Sequence, residues 1–182
     1  MRRAYILFAE GFECVEAMAP IDVMHRAGVE VVRVAVGESL DVTSSHGLVT
    51  LHCDWFVDEV DAEDGDVLIL PGGNPGYVNL RNSTEVLRLV RSYFADERLV
   101  AAICGAPTVL AAAGVARGRA ITCHTTVVDE MGDYHFEGGN VVEDGNLITA
   151  AGAGLSLEFA LTIAERLVDK DTLSRVRRGM EV

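Results

Sequence analysis

Leu99-Val100-Ala101-Ala102-Ile103-Cys104, followed at once by Gly105-Ala106-Pro107-Thr108-Val109-Leu110-Ala111-Ala112-Ala113-Gly114, is the stretch that decides the fold. Its first half is a short unbroken apolar run, which reads as a parallel strand buried on both faces. Its second half reads as a helix: Gly105 is free to take a tight turn, Pro107 suits a first helical turn and Gly114 stops it. Cys104 therefore stands at a strand-to-helix hinge, at the carboxyl edge of a sheet with helix amides close by. This is the arrangement of a nucleophile elbow, with cysteine in place of serine. A thiol beside the positive end of a helix ionises more readily than a free one. The competing reading is a buried core cysteine, because free cysteine is among the most buried residue types.

Strand and helix patterns alternate on both sides of this stretch. Ala4–Phe8 reads as a first strand, Cys14–Gly28 as an amphipathic helix closed by Gly28 and kinked at Pro20, and Glu30–Val36 as a second strand. Asp41–Cys53 alternates around a glycine and reads as a small hairpin. Asp66–Gly73 is a third core strand ending in a glycine pair, and Thr84–Glu97 a helix with Ser83 as its N-cap. Past the elbow come a core strand over Arg119–His124, a short helix near Val127–Met131 and a hairpin turning at Asp144-Gly145. A long helix over Leu155–Val168, capped by Ser156, and a more polar helix over Asp169–Met180 close the chain. Repeated strand–helix units with continuously apolar strands predict one α/β domain over residues 1–182, a doubly wound, mostly parallel sheet with helices on both faces. Such sheets bind ligands beyond the carboxyl ends of their strands, at the switch in strand order. Three loops qualify: Ala9–Glu16, Pro71–Gly76 and Cys104–Pro107.

The chain carries a net charge of −13, and its 15 lysines and arginines are scattered, with Arg175, Arg177 and Arg178 the nearest approach to a cluster. Binding a phosphate backbone needs a basic face, so nucleic acid is not expected as the primary ligand, and the same sign disfavours anionic membranes. Arg2 and Arg3 precede an apolar run too short for a signal core, and no run approaches a membrane span. Cys14, Cys53, Cys104 and Cys123 are far apart and form no CxxC pair. The expectation is reduced thiols in a cytoplasm, with neither a structural zinc site nor a disulfide framework.

Within the first loop, Glu10 and Glu13 read as partners of the helix dipole, whereas Glu16 lies far enough into the helix to project over the rim that holds Cys104. An ionised Glu16 would raise the thiol pKa by repulsion, and a protonated one would lower it by donating a hydrogen bond. Gly72-Gly73 either just ends a strand or turns the bare amide of Gly73, together with that of Gly105, toward the thiol as an oxyanion hole. His124, at a strand end, is a candidate proton carrier, while His25, His46, His52 and His135 carry no comparable signal. Gly152 and Gly154 precede a helix without the full G-x-G-x-x-G fingerprint, and there is no P-loop or H-E-x-x-H, so no nucleotide, metal or other cofactor is expected.

The segments Glu-Gly-Phe-Glu-Cys-Val-Glu (10–16), Asp-Val-Leu-Ile-Leu-Pro-Gly-Gly (66–73), 101–114 around Cys104, and Ala-Gly-Ala-Gly-Leu-Ser-Leu-Glu-Phe-Ala-Leu (151–161), in this order and spacing, resemble the ThiJ/PfpI superfamily, most of all its parkinsonism-associated branch. The resemblance covers nearly the whole chain. It implies a flavodoxin-like sandwich, with Cys104 as nucleophile, Glu16 as the carboxylic acid hydrogen-bonded to it, Gly73 and Gly105 as backbone donors, and His124 as the nearby histidine. Peptidase activity is disfavoured because Gly105 stands where the protease branch has a histidine after the cysteine. Glutamine amidotransferase activity is disfavoured because no histidine follows His135. Cys14 stands where the resembled branch often has glutamate. The implied activity is that of a cofactor-independent glyoxalase or deglycase acting on methylglyoxal-type 2-oxoaldehydes or their early amine adducts. The rival is a redox-responsive stress protein or chaperone using the same oxidisable thiol, and a thiamine-pathway role has no residue support. A homodimer is also implied. Its interface is expected on the first helix around Val23–Ala27, with Met18, Met24, His25 and Arg26, and with Arg26 approaching the partner's pocket.

Overall fold

The structure, a computed structural model, describes residues 1–182. In chain order the elements are β1 (Arg3–Ala9), α1 (Cys14–Arg26), β2 (Glu30–Val36), β3 (Asp41–Thr43), β4 (Thr50–His52), β5 (Trp55–Phe56), β6 (Val67–Leu70), α2 (Gly76–Asn82), α3 (Thr84–Ala95), β7 (Leu99–Ile103), α4 (Pro107–Ala113), β8 (Ala120–Ile121), β9 (His135–Phe136), β10 (Val141–Asp144), β11 (Leu147–Ala150), α5 (Ser156–Leu167) and α6 (Lys170–Met180). A seven-stranded sheet runs β10-β11-β7-β6-β1-β2-β5, and every neighbouring pair is parallel except the β10–β11 hairpin. The inner order β2-β1-β6-β7-β11 is that of a flavodoxin-like sheet, with its switch point between β1 and β6.

The period-two alternation of β1 builds both cores. Ala4, Ile6 and Phe8 face one side, against Val23 and Met24 of α1 and Phe159 and Ile163 of α5. Tyr5, Leu7 and Ala9 face the other, among Leu80, Leu89, Tyr93 and Leu110 of α2, α3 and α4. β6, β7 and β11 are buried at every residue, which is why they read as unbroken apolar runs. Ser83 caps α3 by accepting from the Val86 N–H, and Gly114 ends α4 in the left-handed region at φ 71°.

Several elements differ from expectation. The segment before His124 is not a core strand: β8 spans two residues and pairs in parallel with β9 in a separate two-stranded ribbon. The β10–β11 loop is Gly145-Asn146, with Asp144 still in the strand and its carboxylate accepting from the Ala120 N–H at 2.9 Å. Ser156 is the first residue of α5 rather than its cap, and its hydroxyl donates to the Ala153 carbonyl at 2.7 Å. Val23, Met24 and Ala27 are buried inside the chain and cannot form an interface. Of the expected dimer face only His25, Arg26 and part of Met18 remain accessible, and Arg26 is paired with Asp22.

Candidate active site

The three loops singled out by the sheet argument do meet. The loop after β1 is stitched to the loop after β6: the Glu13 N–H donates to the Gly72 carbonyl at 2.9 Å, and the Gly76 N–H to the Gly11 carbonyl at 3.2 Å. The β3–β4 hairpin braces the first loop from outside. Glu10 accepts from the Thr43 N–H at 2.9 Å, and Glu13 from the Ser45 hydroxyl at 3.1 Å. These two carboxylates are structural, but they tie the loop to the hairpin rather than serving the helix dipole.

Gly73 sits at the tightest point of this junction, at φ +90°. A Cβ built there would lie 2.3 Å from the Glu13 nitrogen and 2.5 Å from the Gly11 oxygen, both backbone atoms held by the bonds above. Gly73→Ala is therefore expected to cost about 3 kcal/mol or more, from left-handed strain plus an unrelievable clash. A urea midpoint equal to that of the wild type would show that the junction opens freely.

Cys104 adopts φ +65°, a left-handed conformation that is strained for a residue with a side chain. Its surroundings hold it there: the Cys104 N–H donates to the Ala150 carbonyl at 2.9 Å, its own carbonyl accepts from the His124 N–H at 2.8 Å, and the Ala106 N–H closes the turn on the Ile103 carbonyl at 3.0 Å. The result lifts the half-buried thiol off the end of β7, as an elbow requires. The N–H groups of Gly73 and Gly105 face the sulfur and pull the thiol pKa down.

Glu16, in the first turn of α1, is fully buried beneath this thiol and hydrogen-bonded to it. Its Oε2 accepts from the Gly72 N–H at 2.8 Å, while Oε1 is buried without a nitrogen or oxygen partner. Burial pushes the Glu16 carboxyl up to about 7, against the pull of the Gly72 amide and of Cys104. Burial and the neighbouring Glu16 together push the thiol up, and the two glycine amides pull it down. The pair titrates as a unit. A bare carboxylate oxygen at Oε1 would be buried and unpaired, whereas a protonated one can donate to sulfur. One proton held between Oε1 and the sulfur satisfies both buried groups, and the Gly73 and Gly105 amides facing the sulfur favour its residing on Oε1.

Cys104 opens on a cavity of about 180 Å³ lined by Gly73, Asn74, Tyr77, Gly105, His124 and Thr126. His124 is thus brought to the site, but from the segment between the β8–β9 ribbon and the two-turn 3₁₀ helix Thr125–Glu130 rather than from a core strand. Its Nδ1 lies 2.8 Å from the Thr126 hydroxyl and accepts the Thr126 N–H at 3.3 Å, which leaves Nε2 as the free nitrogen. Cys14 does not line the cavity, and Cys53 and Cys123 are buried in the cores. No three histidine, cysteine or carboxylate side chains gather as a metal-ligand set. Sequence reading missed Tyr77, Asn74 and Thr126. Tyr77 lies on α2, a helix hidden in a segment whose prolines and glycines read as loop.

A family model described as DJ-1/PfpI family matches residues 2–166. The chain belongs to the DJ-1/PfpI family. Over 179 residues it is 36% identical to a Danio rerio protein named Parkinson disease protein 7 homolog, covering 97% of this chain and 95% of that one. It is 34% identical over 164 residues to a Caenorhabditis elegans protein named a glutathione-independent glyoxalase, covering 89% and 86%. It is also 34% identical over 154 residues to a Thermococcus kodakarensis protein named a deglycase, covering 84% and 91%. The crystal structure of Drosophila melanogaster DJ-1beta superposes with a TM-score of 0.95 at 37% identity, covering 100% of this chain and 98% of that one. No helix is long and apolar enough to cross a membrane.

Proposed function

We propose that this DJ-1/PfpI family member is a glyoxalase or deglycase that acts on methylglyoxal-type 2-oxoaldehydes, or their early amine adducts, with Cys104 as nucleophile. The observation that carries this reading is the Cys104 sulfur, faced by two backbone amides, beside a buried Glu16 whose carboxyl burial pushes up to about 7, and open to a small cavity. The names of the nematode and archaeal relatives point the same way.

In this reading the thiolate adds to the aldehyde carbon to form a hemithioacetal, and the Gly73 and Gly105 amides hold the charge that moves onto oxygen. Glu16 gives its proton to the hemithioacetal oxygen, and the carboxylate so formed, or His124, then takes the proton from the former aldehyde carbon and returns one to the neighbouring carbon. The aldehyde is thereby oxidised to a thioester as the ketone is reduced to an alcohol. Water then cleaves the thioester, releasing lactate and regenerating the thiol, so that methylglyoxal plus water gives lactate with no external oxidant. From an amine adduct the same thiolate attack releases the amine.

The test is lactate production from methylglyoxal with chelator present and glutathione absent. Lactate formed well above the rate without protein is expected, and its absence overturns the reading. Absence of lactate together with rapid peroxide oxidation of Cys104 would instead favour the redox-responsive stress protein, which needs the same accessible thiol. A homodimer belongs to this proposal. Sedimentation at micromolar concentration is expected to give twice the chain mass, and a monomer refutes it.

A further inference from the structure

Tyr77 and its attachments are not used by the chemistry above. The Tyr77 ring lies flat against Gly105, so close that a Cβ on that glycine would sit 2.5 Å from its Cδ1. The ring therefore covers the residue that follows the candidate nucleophile and supplies one of its amide donors. It is fixed from two directions. The Tyr77 N–H donates to the Gly73 carbonyl at 2.8 Å, anchoring the first turn of α2 to the other donor. The Arg81 guanidinium, one turn on, lies 5.6 Å from the ring centroid and pairs with Glu130, at the end of the 3₁₀ helix that begins beside His124. Arg81 thus ties the α2 wall of the cavity to the His124–Thr126 wall through an aromatic contact on one side and an ion pair on the other.

The cavity is small. At about 180 Å³ it lies well below the 300 Å³ and more of ordinary ligand pockets. Phenylglyoxal has twice as many non-hydrogen atoms as methylglyoxal and so presses harder on the walls of this space. Gly73, Gly105 and Cys104 are backbone-locked, and His124 and Thr126 sit on the exposed side. Tyr77 is the largest side chain on the lining and, unlike His124, stands over the amide donor beside the thiol.

We propose that Tyr77, clamped by the Arg81–Glu130 pair, is the size-determining residue of this site, favouring access to Cys104 by short-chain 2-oxoaldehydes over aryl dicarbonyls. This deepens the proposed glyoxalase reading and rests on it for the substrate class, while the steric part stands on the geometry alone. Arg81 and Glu130 are positioning residues that act through the ring.

Two measurements separate the parts. The first compares kcat/KM for methylglyoxal and for phenylglyoxal. A single methylene in a hydrophobic pocket discriminates by about 10–200-fold, so Tyr77→Ala is expected to shrink the wild-type preference for methylglyoxal at least ~10-fold, chiefly by raising phenylglyoxal turnover. Tyr77→Phe, which keeps the ring, is expected to keep the ratio, and Arg81→Met to give an intermediate one. The second compares the rates at which iodoacetamide and N-phenylmaleimide alkylate Cys104, read by peptide mapping, and needs no turnover. Tyr77→Ala and Arg81→Met are expected to speed the bulky reagent relative to the small one. Unchanged ratios in both variants overturn the size filter. A shifted alkylation ratio in a protein that makes no lactate refutes the glyoxalase reading and leaves the filter standing. Should Tyr77→Ala fail to fold, Arg81→Met, which leaves the ring and the cores intact, carries the same comparison.

Discussion

Replacing Cys104 with serine is expected to lower methylglyoxal turnover at least ~10³-fold, the scale on which enzymes lose rate when a nucleophile is removed. The serine oxygen would occupy nearly the same place, off the end of β7 and facing the Gly73 and Gly105 amides. What it lacks is ionisation. A hydroxyl needs a strong base within reach, and the group beneath it, Glu16, is held toward its protonated form by burial. His124, with Nδ1 engaged by Thr126, presents only Nε2, on the exposed side of the cavity. Residual activity from the two amides should survive, because donors aimed at a developing oxyanion act without the nucleophile. The measurement is lactate formed per unit time by the two proteins at matched folded concentration. Activity within ten-fold of wild type would remove Cys104 from the chemistry.

What could be read from the sequence was what local chemistry fixes. The Leu99–Cys104 run, the Gly105 and Pro107 punctuation and the Gly114 stop each act within a few residues, so strand, hinge and helix came out in place. The same holds for β1, β6, α1 and α3, whose apolar periodicity or caps are local. Glu16 was found because its helix position and the carboxyl edge of the sheet are both legible. The failures share one cause, which is that their conformation is decided from a distance. Helix α2 contains Gly76 and follows two prolines closely, and it is held by packing of Leu80 into the core and by contact with α4 rather than by propensity. The segment before His124 has core-strand composition, yet the edge it would have joined belongs to β10, so it pairs with β9 instead. β5 is two residues long and carries no period to read. Met24 had the composition of an interface residue, and only the α1–sheet packing shows it pointing inward. The proton between Glu16 and Cys104 belongs to the same class, because only burial raises a carboxyl to where it can serve as a donor.

That proton makes the sharpest pH prediction. Below pH 4.5, the ordinary carboxyl value, Glu16 is protonated in both folded and unfolded chains; between 4.5 and about 7 the folded chain holds a proton that the unfolded one has lost. The folded state then binds more protons, so stability falls as pH rises through this window, by on the order of 3 kcal/mol in all at 1.36 kcal/mol per unit. Glu16→Gln cannot titrate, so its melting temperature should gain on that of the wild type by several degrees between pH 5 and pH 8. The same titration places the thiolate. If the proton that remains above pH 7 sits on Glu16 Oε1, thiolate absorbance appears near pH 7; if it sits on sulfur, absorbance waits until about 12. The unpartnered Oε1 and the two amides on the sulfur favour the first outcome. Glu16→Gln keeps an N–H that can donate to sulfur and should shift the thiolate titration little. Glu16→Leu removes both donor and charge, leaving a half-buried thiol with only its two amides, and should move the titration up by at least ~1 unit and cut turnover at neutral pH by ~10-fold or more. A wild-type thiolate seen only near pH 12, or coincident curves for wild type and Glu16→Leu, would show that Glu16 does not set the ionisation of Cys104.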